Sequence, residues 1–134
     1  MNDSTENRVS KATPYQVTAI IRDVECLYFH PLPGCETPHE PFMRIHATVV
    51  EDFSQRFDPG DWILTSKVLS SETDDTKTDF ITLGGSRYRT LGKEYSCHHF
   101  YMTREVARLC LSGAGAQTIR TLCPNDYISV ASLH

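Results

Sequence analysis

Thr13-Pro14-Tyr15-Gln16-Val17-Thr18-Ala19-Ile20-Ile21-Arg22-Asp23-Val24-Glu25-Cys26-Leu27-Tyr28 is the stretch whose reading decides the fold. It opens with three helix-start signals. Thr13 is a capping residue, Pro14 suits the first helical position, and Gln16 completes a capping box. Val17, Ile20, Ile21, Val24, Leu27 and Tyr28 then recur at intervals of three and four, the spacing of one helix face. Pro31 stops the element near Phe29 or His30, because the residue before a proline is pushed out of the helical region. The spacing therefore predicts an N-terminal amphipathic helix.

Downstream the period changes. His30 to Pro41 carries four prolines and one glycine and reads as a stiff surface loop. Met43, Ile45, Ala47 and Val49 then alternate with polar residues, the pattern of a half-buried strand. Asp58-Pro59-Gly60-Asp61 reads as a tight turn, with proline at its first corner and a positive-φ glycine at its second. Trp62, the sole tryptophan, opens the next strand and is expected to anchor the core. Phe80–Leu83 and Ser86–Leu91 flank Gly84-Gly85 as a hairpin. Ser96–Tyr101 reads as a further strand. Thr103 caps a second helix near 103–112, with Val106, Ala107, Cys110 and Leu111 turned inward and Gly113 at its end. The order predicts an α+β domain: a curved antiparallel sheet of about five to six strands covered by two helices. Residues 1–12 are polar and aperiodic and read as a disordered tail, leaving 13–134 as a single domain.

Bulk properties narrow the function classes. A net charge of −4 gives no general basic field for nucleic acid, so any such contact must be local. No apolar run reaches the length of a membrane span, and the polar start is not a signal peptide, so no membrane partner is expected. Five cysteines without a framework spacing suit reduced thiols in a cytoplasm.

The run Arg56-Phe57-Asp58-Pro59-Gly60-Asp61-Trp62-Ile63-Leu64-Thr65-Ser66 extends into a longer pattern through Val49, Asp52, Phe80, Thr82, Tyr88, Leu91 and Gly92. In this block the chain resembles a family of small uncharacterised proteins from Gram-negative bacteria and their phages and prophages. It departs from the family at Gly85-Ser86, where an asparagine is usual. The resemblance implies a phage-type accessory protein and carries no catalytic residues with it.

Three constellations could carry chemistry. Cys26, His30, Cys35 and His39 are four zinc-type ligands within fourteen residues, which would make a zinc-stabilised module. Arg87 and Arg89 line one face of a strand, with Lys93 and Arg44 as neighbours, and such a basic strand could hold a nucleotide or nucleic acid. Cys97 and His99 share a strand face but lack an orienting third group. No nucleophile–base pair or phosphate loop is visible, so the chain reads as a binding protein and not an enzyme, without a required cofactor. The leading partner is a host protein, one class being a defence component. The binding residues would be Arg87, Arg89, Arg44 and Lys93 on the basic strand and His30 and His39 at the proline-rich loop.

Overall fold

The computed structural model describes residues 16–129; the expected tail and the Thr13–Pro14 cap lie outside them. Element order is β1 (Ala19–His30), β2 (Phe42–Asp52), β3 (Trp62–Leu64), β4 (Val68–Thr73), β5 (Thr78–Thr82), β6 (Arg87–Thr90) and β7 (Ser96–Tyr101). Helices α1 (Arg104–Leu111) and α2 (Ala116–Leu122) follow, then a short 3-10 turn (Pro124–Asp126) and β8 (Tyr127–Ile128). Strand makes up 43% of the described residues and helix 16%, in one eight-stranded sheet with both helices near the C-terminus. This corrects the expected α+β plan of an N-terminal helix over five or six antiparallel strands.

The expected N-terminal helix is β1, and its periodicity has a physical origin. Between Arg22 and Glu25 the register against β2 slips, with three steps on β1 matching two on β2. Asp23 takes φ +51, in the left-handed region, at this β-bulge. The bulge places Ile21 and Val24, three residues apart, in the same core. Beyond it both strand faces are covered: Cys26 points into one core and Leu27 and Phe29 into another. A bulged strand buried on two sides thus reproduces helical spacing.

The bulge is also where β1 changes neighbours. Ala19–Ile21 pair in parallel with Tyr88–Thr90 of β6, whereas Glu25–His30 pair in parallel with Ser96–Tyr101 of β7. The sheet is therefore mixed. Its main path runs β3-β2-β1-β6-β5-β4, and the two end strands are joined only by Thr65-Ser66-Lys67. At this join Thr65 bonds Ile45 of β2 with both backbone and hydroxyl, and the Lys67 carbonyl accepts from Leu83 after β5. The chain between the two end strands thus closes the path of pairings into a ring. Inside it lies a first core of Ala19, Ile21, Val24, Cys26, Ile45, Val49, Ile63, Phe80 and Tyr88. A second core packs Leu27, Phe29 and Phe100 against Val106, Leu109 and Cys110 of α1 and Ile119 of α2.

Several local readings match the structure. Gly60 adopts φ +94 and Asp61 N–H donates to Asp58 O at 3.0 Å, closing the turn. Thr103 Oγ1 accepts from Val106 N–H at 3.2 Å and donates to Asp126 Oδ2 at 2.9 Å, tying the α1 cap to the turn before β8. Helix α1 is rotated from expectation: Leu109, not Leu111, completes its buried face, and Leu111 is 69% exposed. No helix among the described residues is long and apolar enough to cross a membrane.

Candidate functional site

The polar residues of the central motif are consumed in building a platform. The Asp52 carboxylate accepts from Ser54 N–H at 2.9 Å, Arg56 N–H at 3.0 Å and Phe57 N–H at 2.9 Å, and from the Ser54 hydroxyl. Desolvation opposes its charge, but these bonds, led by the Ser54 hydroxyl, hold its pKa below the ordinary value. The Arg56 guanidinium reaches the Tyr88 hydroxyl at 3.3 Å, and Ser66 Oγ accepts from Gly84 N–H at 3.2 Å. What this network leaves over is apolar: the side chains of Phe57 and Trp62.

Trp62 does not anchor the core. It is 48% exposed, because β3 alternation sends Ile63 into the ring and Trp62 to the outer face. One side of the indole lies against the His46 ring, with centroids 6.0 Å apart and planes within 17°. Its far edge lies over Gly113, where a Cβ would stand 2.7 Å from Trp62 Cζ2. Arg44, Phe57, Asp61, Trp62, Leu64 and Leu111 line a groove of about 500 Å³ here. Gly113→Ala meets both this contact and a φ of +95, and should cost about 1–2 kcal/mol while displacing the indole. A lower Tm with a shifted tryptophan emission is the expected result; an unchanged spectrum would mean that Trp62 does not rest on Gly113.

A polar clamp fixes the groove wall to the sheet. Glu25 Oε1 accepts from Ala116 N–H at 2.9 Å at the start of α2 and lies 3.5 Å from His46 Nδ1. His46 Nε2 donates to Gly113 O at 3.0 Å. With Nε2 donating, the ring meets the carboxylate best as an imidazolium. The Glu25 bond accordingly raises the His46 pKa above 6.5 despite burial, and the same bond lowers that of Glu25 below 4.5. The His46 contribution is complete below pH about 6.5 and disappears as pH rises through its folded value; that of Glu25 is present above about 4.5 and disappears as pH falls through its own. The Tm advantage of wild type over His46→Gln should therefore peak between about pH 5 and 6 and shrink by pH 8. A difference independent of pH would show His46 neutral in the fold.

The residues singled out from sequence are placed as follows. Arg87 is buried, its Nη1 2.6 Å from Asp79 Oδ2 and 3.1 Å from Glu72 Oε1. Arg89 forks onto the same carboxylate, Nε to Oδ1 at 2.8 Å and Nη2 to Oδ2 at 2.9 Å. The basic strand is thus an internal ion cluster. Lys93 lines a larger, open depression of about 1070 Å³ together with the exposed acids Asp23, Asp74, Asp75 and Glu94. Arg44 lies in the apolar groove, its Nε donating to Thr65 O at 2.6 Å.

The four expected zinc ligands are not gathered, and no three metal-type side chains meet among the described residues. On a strand, Cys26 and His30 are separated by about 13 Å of extended backbone. Cys26 is buried opposite Cys97, Cys35 is exposed in the loop, and the His39 ring sits against Phe42. His30 Nε2 and His99 Nδ1 share a hydrogen bond at 2.8 Å, and His99 stacks on Tyr28 with centroids 4.5 Å apart. Burial, then nearby histidines, holds both rings below pKa 6.5.

The groove residues Phe57, Trp62 and Leu111 were not read as a site, although each was visible as a large apolar residue. The available signal was the turn itself, which places Trp62 at the very start of a short strand. No family model matches the chain, and no curated protein or solved structure matches it significantly.

Proposed function

We propose that the chain is a non-catalytic binding protein that takes an apolar segment of a partner protein into the groove beside Trp62. The observation that carries this reading is the half-exposed indole, set on a rigid platform beside the exposed Leu111 and Phe57. Tryptophan is among the residues most enriched at interface hot spots, and a half-exposed indole contributes less to folding than a buried one. The resemblance through Arg56–Ser66 supports a phage or prophage accessory role toward a host protein, one candidate class being a defence component, because the same motif builds the platform. Five free thiols favour a reducing cytoplasm. A phosphate-binding role for Arg87 and Arg89 finds less support, since Asp79 and Glu72 already occupy them.

Leu111→Glu tests the reading. Leu111 is well exposed on α1, so the substitution should leave stability within about 0.5 kcal/mol of wild type. Affinity capture from nuclease-treated host lysate should lose its specific partner. Retention of that partner by a folded Leu111→Glu protein would move the interface elsewhere.

A further inference from the structure

The groove contains a charge that no carboxylate among the described residues neutralises. Arg44 is half-buried on β2 and lines the groove together with Leu64 and Leu111. Its Nε bonds the Thr65 carbonyl, yet no carboxylate among the described residues lies within ion-pair reach of its guanidinium. The other arginines on this sheet pair with carboxylates: Arg22 with Asp23, and Arg87 and Arg89 with Asp79. Asp61, the acid of the groove, accepts instead from Asp58 N–H at 2.9 Å. A partly desolvated guanidinium carries an unrecovered solvation cost, which an incoming anion can offset.

We infer that the groove recognises an extended protein segment presenting a bulky apolar side chain next to a single carboxylate. The apolar group lies on Trp62 and Leu111, and the carboxylate pairs with the Nη groups of Arg44. Asp61 sets a second condition, because it repels a run of acids while leaving one carboxylate at Arg44 tolerable. The inference rests on the groove being the partner site and adds the chemistry of what enters it. Arg44 acts by charge and fork geometry, so a neutral isostere in the partner should bind more weakly.

A displayed dodecapeptide library panned against wild type, Trp62→Ala and Arg44→Gln provides the test. Wild type should enrich peptides with one Asp or Glu adjacent to Leu, Phe or Trp, and neither variant should enrich them. A synthetic consensus peptide whose apolar residue is Leu or Phe is then titrated into wild type, following Trp62, the only tryptophan in the chain. Its Glu→Gln version should bind about tenfold more weakly, and so should the original peptide to Arg44→Gln. The two losses should not add, which marks a direct pair and not an unrelated folding defect. Trp62-dependent peptides that bind equally well with glutamine would overturn the carboxylate inference while leaving the groove as the site. Enrichment that ignores Trp62 altogether would overturn both.

Discussion

Replacing Asp79 with alanine should destabilise the protein by about 3–5 kcal/mol, a large share of what holds a domain of this size together. The reason is what it leaves behind. Asp79 and Arg87 side chains are 6% and 8% exposed, and Asp79 bonds Arg87 and Arg89 together. Without it, a guanidinium stays inside the sheet with only the exposed Glu72 nearby. The intact pair adds little net stability over an apolar pair of similar volume, because desolvation cancels most of its attraction. Breaking it is what costs. Arg89→Ala should matter much less, since a third of that side chain already meets solvent. Urea denaturation of the two variants measures the difference. An Asp79→Ala midpoint as high as that of Arg89→Ala would mean that Glu72 or water replaces the lost carboxylate. The Arg89 bond, then Arg87, against the pull of burial, keeps Asp79 below its ordinary pKa of 3.8. Its contribution is therefore present above about pH 3.8 and disappears only as pH falls through the lower folded value.

The same cluster shows where sequence reasoning reached and where it stopped. Local chemistry was legible because it is decided within a few residues. Asp58–Asp61 closes as the Pro-Gly pair requires, and Thr103 caps α1 as its position before an amphipathic run implies. Long-range pairing was not legible. Arg87 and Arg89 alternate with Tyr88 like a solvent-facing basic strand, and only the β5–β6 register sets Asp79 against Arg89. A single acid ten positions upstream carries no mark of that partnership. The N-terminal element failed for a related reason. Hydrophobic periodicity assumes one buried face, whereas β1 is bulged at Asp23 and buried on both faces beyond it. The proline-rich loop gave no warning, since it terminates a helix and a strand equally well. Trp62 was misplaced because a large apolar residue is normally core. The strand parity that exposes it depends on Ile63, its smaller neighbour, filling the ring.

Trp62→Ala separates a core tryptophan from a binding one. A fully buried tryptophan would cost about 3–5 kcal/mol on truncation. Here the indole is half-exposed, touching His46 and Gly113 while the first core closes without it. The expected loss is about 1–2 kcal/mol, visible as a modest fall in Tm with cooperative unfolding retained. Binding should respond far more. A central aromatic anchor typically supplies 2 kcal/mol or more, so affinity for the captured partner should fall by about thirtyfold or beyond. Trp62→Phe sharpens the reading, because it keeps a ring on the platform with less area and no N–H. It should recover most of the stability and only part of the affinity. Calorimetric titration at matched temperature measures both variants against wild type. A fall in stability large enough to account for lost binding would return Trp62 to the core. A large loss of affinity in a protein that still melts near the wild-type temperature would assign the indole to the interface, where the Asp52 network and the Pro59-Gly60 turn hold it ready.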